Sequence, residues 1–365
     1  MSETARVIDT ASAERLSKLW TAQYLPDFST LPQPKGEFPV AELVETASSE
    51  GRAKTVDKVL RSLQLNCEQA GLATHTLFLY IPNIVDLSAA RRIAHTAGRV
   101  YETTLEIYKR QLAPSPYLQY VNTSSLLFSK LALPSLMIPA IHQLAAEVEP
   151  ILLQIHQQHF YSPDRRTIGF ITSQFHFSTR TLLKQLTPCE QVLFAPYLKF
   201  IEEQVCIPWQ RLCAAAAHHE PDSPTLMMVE NLLGMSSAIA QSVYHHALQN
   251  YPHHRSRRGN LQDSGIAAST LRDLKMFQVY LWLCVLEGEM SAIEDELLPL
   301  CAAVFPSISV KWELVEGMLQ LLETEIHLRI NSEQSNRLRP FTQDLRQLFT
   351  SPSLRSAAVE YYSYS

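Results

Sequence analysis

Histidine is the residue type with the most chemistry to offer in this chain, which carries 13 of them among 365 residues. His142, Glu149 and His156 are spaced seven residues apart, and His159 follows one turn later. On one continuous helix all four side chains would share a face, because these separations complete nearly whole turns. A His/Glu face inside a helical bundle can hold a di-metal centre or a haem. These four residues are therefore the candidate cofactor-binding residues, for haem, another tetrapyrrole or a divalent metal.

Pro150 is the main argument against that face. Proline disfavours helix at the residue before it, so the halves carrying Glu149 and His156 can rotate apart. No Glu-x-x-His sequence occurs that would supply further ligands from other helices. Three His-His doublets do occur, but neighbouring helical residues point about 100° apart and cannot chelate one ion there. Helix ends and polar faces explain the doublets at 218–219, 245–246 and 253–254.

A basic group is the strongest local charge feature. Arg255, Arg257 and Arg258 follow His253 and His254 within a polar stretch. Three arginines can bind a phosphate, an anionic partner or an acidic membrane, although such a group is more often a solvated connector. The net charge of −5 disfavours nucleic acid, since the overall field repels phosphate backbones. The three arginines are therefore candidate contacts for an anion or a protein partner.

Acidic side chains form two further groups that could carry general acid/base chemistry. One group is a stripe on a single predicted helix, made of Glu316, Gln320, Glu323 and His327. The other is an acidic turn, made of Glu287, Glu289, Glu294, Asp295 and Glu296. The stripe lies opposite the apolar face of its helix, so a solvated surface is the favoured interpretation.

The glycine content excludes several classes of enzyme site. Only ten residues are glycine, and the chain contains no GxGxxG, GxxxxGK[ST] or GxSxG sequence. Dinucleotide-binding, P-loop and α/β-hydrolase sites depend on such glycines. No HExxH sequence and no recognisable nucleophile occurs either. The sequence therefore favours a protein that is not an enzyme.

The cysteines and the termini bear on the cellular compartment. The six cysteines lie mostly in apolar stretches without a CxxC pair, which is typical of buried free thiols in a reducing compartment. The first residues lack a secretory signal pattern. The most apolar stretches, 131–146 and 231–254, contain prolines or several histidines and predict buried helices, not membrane spans. We expect a cytoplasmic protein without a transmembrane segment.

Helix signals recur from end to end. Capping boxes at Thr187-Pro188-Cys189-Glu190 and Ser291-Ala292-Ile293-Glu294 mark two helix starts. Residues 276–286 are apolar almost all round, which predicts a central buried helix. The one alternative is at 76–81, where strand-like composition lacks a partner strand and a helix or extended linker is favoured. The predicted helices are 11–22, 40–50, 53–70, 87–112, 116–131, 135–160, 165–186, 188–205, 208–219, 224–250, 267–288, 292–304, 309–330 and 338–349.

These patterns predict an all-α fold, a globule of about 12–14 helices packed as a bundle or orthogonally. No period of 30–45 residues was found, so a regular solenoid is not supported. The predicted organisation is an N-terminal helix with a Pro-rich strap, a main helical domain, a flexible basic loop, a C-terminal helical subdomain packed on the main domain and a tail. Their limits are 1–39, 40–250, 251–265, 266–350 and 351–365.

Two functions follow from this picture. The first is a non-enzymatic interaction, assembly or regulatory protein with protein partners or a homo-oligomeric state, because low charge and long uncharged helices suit protein contacts. In this case no cofactor is expected. The alternative is a helical bundle that binds a metal, haem, another tetrapyrrole or a lipid-like ligand in a His-lined pocket.

Overall fold

The computed structural model describes residues 10–21, 23–24, 26–32, 39–79, 85–113, 144, 147–148, 150–152 and 167–350. Regular structure in these ranges is almost entirely helical, which confirms the predicted all-α class. The predicted tail and the predicted helix at 116–131 lie outside the described residues, as does nearly all of the one at 135–160.

The α-helices of the described ranges are numbered in chain order. They are α1 Ala11–Thr21, α2 Val40–Ala47, α3 Ser49–Leu60, α4 Leu63–Leu77, α5 Leu87–Lys109, α6 Thr167–Leu183, α7 Pro188–Cys206, α8 Trp209–Ala216, α9 Pro224–Gly234, α10 Ser236–Asn250, α11 Ser264–Glu287, α12 Leu298–Ser307, α13 Trp312–His327 and α14 Ser332–Phe349. Three short elements complete the described regular structure. They are a 3₁₀ turn at Phe28–Thr30, a hairpin of strands β1 Arg255–Ser256 and β2 Gly259–Asn260, and a π-helical turn at Ile293–Leu297.

The described residues fall into two compact units. Unit 1 comprises the described residues within Met1–Leu19, Asp164–Gly169 and Cys206–Ser365. Unit 2 comprises those within Trp20–Pro163 and Phe170–Val205. The predicted domain limits remain a prediction, and the loop proposed as a boundary at 251–265 lies inside unit 1.

Helix α11 is the centre of unit 1. It packs against α8, α9, α10 and α14, and α10 and α14 in turn pack against α13. Every residue from Met276 to Leu286 is buried, as the apolar run predicts. The first half of α11 is different, since Ile266, Ser269 and Thr270 are only half-buried. One helix therefore supplies both the core of the unit and a partly open surface.

Unit 2 is built on a second helical core. Helix α5 packs along α4 and α3, and α2 packs on α3. Aromatic side chains fill this core, with Tyr108 of α5 lying 5.0 Å from Phe194 of α7 between ring centroids. Thr76 and Leu77 belong to α4, so the helical alternative is confirmed for these two residues of the 76–81 stretch.

Helix boundaries follow the capping groups. The box at Thr187 is confirmed, because the Thr187 N–H donates to Glu190 Oε2 at 2.7 Å and the Glu190 N–H donates to Thr187 Oγ1 at 3.4 Å. The box at Ser291 is wrong: the Ser291 hydroxyl donates to Glu289 at 2.8 Å. A box that sequence reasoning missed, Asn331 with Gln334, begins α14 six residues before its predicted start.

Two predicted helices are each divided. The helix expected over 53–70 is two helices that part at residues 61–62, and the helix expected over 224–250 parts at Met235. Apolar periodicity continues across both breaks, so hydrophobic pattern alone could not reveal them.

The segment 251–265 forms a hydrogen-bonded hairpin where an irregular flexible loop was expected. Arg255 pairs with Asn260 and Ser256 with Gly259 across the two strands. The Arg257 N–H donates to the Ile308 carbonyl at 2.9 Å, which ties the hairpin to the end of α12. Gly259 supplies the positive φ of 138° that this tight connection requires.

None of the described helices is long and apolar enough to cross a membrane.

Glycines at two helix ends give a matched test of the fold. Gly288 ends α11 at φ 78°, whereas Gly234 ends α9 with no atom within 4 Å of an added Cβ. We expect Gly288→Ala to lower the free energy of unfolding by about 1–2 kcal/mol, because an L-residue is strained in the left-handed region. We expect Gly234→Ala to raise it by up to about 1 kcal/mol. Chemical denaturation measures both, and equal effects of the two substitutions would contradict the placement of these helix ends.

Candidate ligand pocket

A pocket with a cavity volume of about 100 Å³ lies in unit 1. Its walls are the hairpin, the first half of α11, the end of α12 and the first half of α13.

The lining is mostly apolar because two helices turn one face towards the space. The contributing residues recur at helical spacing on α11 and α13, as expected for one face of each. The apolar lining residues are Leu261, Ile266, Leu274, Phe277, Phe305, Ile308, Val310, Leu314, Val315, Met318 and Leu319.

Six polar side chains also line the pocket. They come from the hairpin and from the half-buried part of α11, and they are His254, Ser256, Arg258, Ser269, Thr270 and Asp273. Asp273 is paired with the adjacent Arg272 at 2.8 Å. A mostly apolar lining with a few polar groups is the arrangement that orients an amphipathic ligand.

His254 is the most distinctive of these polar groups. Its Nε2 atom is buried and makes no hydrogen bond. Burial, and then the positive charge of Lys311, lower the pKa of the imidazole below its ordinary value of 6.5. At neutral pH this side chain is therefore an uncharged ring that offers one unpaired nitrogen at the pocket wall.

The basic group of the hairpin separates into different environments. Arg258 lines the pocket, while Arg257 donates from Nε to Ser309 Oγ at 3.1 Å and Arg255 is exposed on β1. The structure thus brings one of the three predicted anion contacts to the pocket. That the three arginines contact an anion or a partner stays a prediction.

The predicted cofactor residues His142, Glu149, His156 and His159 lie outside the described residues. Within the described ranges, no group of three or more His, Cys, Asp or Glu side chains is arranged to hold a metal ion.

The acidic turn contributes to an ion-pair network in unit 1 that sequence reasoning missed. Arg211 of α8 binds both oxygens of Glu287 at 2.8 Å and binds Glu296 at 2.6 Å. The Tyr280 hydroxyl donates to the second Glu296 oxygen at 3.3 Å. Burial raises the pKa of Glu296, and Arg211 opposes the shift. The π-helical turn carries Glu296, so two of the five acidic residues join helices here instead of forming a solvated face.

The second acidic stripe also has a structural role. His327 contacts the Ser335 and Thr342 hydroxyls of α14 at 2.8 and 3.1 Å, and Glu323 pairs with Arg346 at 2.7 Å. These contacts join α13 to α14, so the expected solvated face is wrong for Glu323 and His327.

The six cysteines are free and buried, as predicted. None of them is among the described residues that line the pocket.

Comparison with known proteins gives one match. Residues 210–348 are similar to the family described as "Phycobilisome protein". No curated protein and no solved structure matches the chain. The matched segment covers rather more than a third of the sequence and runs from within α8 to within α14. All of the residues that line the pocket fall inside it.

The lowered pKa of His254 predicts that the free energy of unfolding depends on pH. Because the folded protein binds the His254 proton less readily than the unfolded chain, its contribution makes the free energy of unfolding fall as pH drops from 7 through 6.5 and below. We expect His254→Gln, which stays uncharged, to give a shallower decline between pH 7 and pH 5. Urea unfolding at several pH values measures the slopes, and imidazole NMR signals give the midpoint. A midpoint above 6.5 for His254 would contradict this environment.

Proposed function

We propose that the chain binds a linear tetrapyrrole, a bilin, in the pocket of unit 1. The observation that carries the proposal is a coincidence of position: the one segment similar to phycobilisome proteins contains every residue that lines this pocket. Helices α11 and α13 and the hairpin form the pocket, so the proposal keeps the predicted tetrapyrrole alternative and moves it from the His142–His159 face to another part of the chain.

The chemistry of the pocket suits such a ligand. A bilin has a long conjugated apolar body, which the faces of α11 and α13 can cover, and carboxylates, which Arg258 of the lining can attract. His254 Nε2 is a buried polar atom without a hydrogen bond, so a ligand N–H or carbonyl would satisfy it. When bound, the tetrapyrrole would supply absorption of visible light.

The attachment we propose is non-covalent. A covalent link to sulfur needs a thiol at the pocket surface, and the described lining offers hydroxyls from Ser256, Ser269 and Thr270 but no cysteine. Apolar burial and the contacts of Arg258 and His254 would have to hold the ligand by themselves.

Biliverdin titration tests the proposal. We expect the purified chain to bind biliverdin with a shift of its visible absorption band, and Ser269→Phe to weaken binding at least tenfold by filling the pocket. Ala268→Phe is the matched control, because Ala268 is the neighbouring residue on α11, is exposed and does not line the pocket. Denaturation should release the pigment and leave the protein mass unchanged.

Absence of any spectral change with the folded wild-type chain would contradict the proposal. Equal loss of binding in Ser269→Phe and Ala268→Phe would move the ligand away from this pocket. Pigment that stays attached after denaturation would overturn only the non-covalent attachment.

Association with protein partners is the second candidate, and a surface of unit 2 favours it. Leu65 and Leu72 on α4 and Leu79 just after it are 57%, 62% and 66% exposed. Their spacing of seven residues places them along one side of the helix, an arrangement that a partner helix or a second copy could cover. The family description is that of a multi-protein assembly, which supports the same proposal. We also propose that the protein is cytoplasmic.

Sedimentation velocity tests this association. We expect the full chain to sediment as more than a monomer, and Leu72→Glu to shift it towards monomer by placing a charge within the stripe. Met227→Glu is the control, because Met227 is 54% exposed on α9 of the other unit. A wild-type chain that stays monomeric at high concentration, or equal behaviour of both variants, would count against the leucine stripe.

A further inference from the structure

The hairpin is the smallest structural element in the wall of the pocket. The longer walls are helices, since α11 packs against α8, α9, α10 and α14, and α13 packs against α10 and α14. The hairpin consists of two residue pairs, Arg255 with Asn260 and Ser256 with Gly259. Ser256 and Arg258 at its tip, residues 256–259, line the pocket. A short surface element opens locally at a lower free energy than the packed helices of a core.

The base of the hairpin is anchored on both sides. Before β1, the Tyr251 hydroxyl donates to the Glu313 carbonyl of α13 at 3.2 Å. After β2, the Leu261 carbonyl accepts the Tyr244 hydroxyl of α10 at 2.7 Å. Both anchors lie outside the paired strands, so the tip can turn about them without breaking either bond.

Arg257 fastens the tip to the end of α12. Its N–H donates to the Ile308 carbonyl at 2.9 Å, and its Nε donates to Ser309 Oγ at 3.1 Å. Ile308 lines the pocket, so these bonds join the tip to the opposite wall. Arg257 itself is exposed, and water can compete for both bonds.

The residue that receives the Arg257 side chain has a strained backbone. Ser309 has a φ of 58°, the one positive φ outside glycine in the described ranges. An L-residue is disfavoured there because its Cβ comes too close to a carbonyl oxygen. Strained residues of this kind cluster at ligand clamps and at segments that switch between two states.

The size of the cavity requires that a wall of the pocket moves. Its volume is about 100 Å³. Sites that bind small molecules usually measure about 300–1,000 Å³. A linear tetrapyrrole can therefore enter only after a wall has made space for it.

We propose that the hairpin is a lid on the pocket. Release of Arg257 from Ile308 and Ser309 lets the tip swing outward about the anchors at Tyr251 and Leu261, and the tip closes again over a bound ligand. Arg257 is not among the lining residues, so it controls access without touching the ligand. The inference rests on the proposed ligand pocket, but the opening itself is a property of the free chain.

Hydrogen exchange of the free full-length chain measures the opening. Arg257→Ala keeps the amide at residue 257 and loses the bond to Ser309, so the exchange of that amide should become about three- to tenfold faster. Arg255→Ala is the matched control, because it removes an equal charge from an exposed position of the same hairpin and should leave this exchange unchanged. The Tyr251 amide, which donates to the Ala247 carbonyl at 2.8 Å at the base, should not respond to either substitution.

Stopped-flow mixing with biliverdin measures access to the pocket. A lid slows entry and exit alike, so Arg257→Ala should raise the association and dissociation rate constants by a similar factor, about three- to tenfold, and leave the Kd nearly unchanged. Loss of an ordinary ligand contact would raise the dissociation rate constant alone. Arg255→Ala should change neither rate constant.

Equal effects of Arg257→Ala and Arg255→Ala on exchange at residue 257 would overturn the lid. A rise of the dissociation rate constant alone in Arg257→Ala would overturn it as well. If the chain binds no biliverdin while Arg257→Ala still speeds exchange at the tip and leaves the base unchanged, the pigment proposal fails and the lid is supported.

Discussion

The burial of one long helix is the constraint on which unit 1 depends. The second half of α11 packs against α8, α9, α10 and α14, and its residues are buried and almost all apolar. The Gln278 side-chain nitrogen donates to the carbonyls of Ser236 and Leu274, both at 3.1 Å, whereas Gln278 Oε1 and Trp282 Nε1 are buried without a hydrogen bond. The first half of the same helix leaves this core, and its exposed flank becomes a wall of the pocket. The pocket is thus a consequence of a helix longer than the core that surrounds it.

Polar contacts fix the helices around this core. Arg211 joins α8 to the end of α11 and to the π-helical turn, and Arg15 of α1 pairs with Glu230 of α9 at 2.9 Å. The charge of these networks is only partly shielded from water, so each contributes modestly to stability while it sets the relation of neighbouring helices. These pairs therefore hold the helices around the buried half of α11 in place.

Periodicity in the sequence predicts the all-α class, the buried run at 276–286 and most helix positions, because each of these is a local pattern. Apolar spacing does not reveal where a helix is interrupted or capped. The helix breaks at residues 61–62 and 235 depend on backbone turns, and the early start of α14 depends on the cap between Asn331 and Gln334. The pocket could not be predicted, because His254, Thr270 and Met318 are brought together only by packing of distant segments. The three predicted arginines lie in or beside the hairpin that lines the pocket, yet nothing in the sequence distinguishes Arg258 from its neighbours.

The central proposal is that the pocket formed by the first half of α11, α13 and the hairpin binds a tetrapyrrole. A crystal structure of the full chain grown with biliverdin tests it most directly. The account predicts pigment density between α11 and α13, with Arg258 and His254 in polar contact with it. Pigment bound elsewhere on a chain of this fold, or a pocket filled by protein side chains, would contradict it.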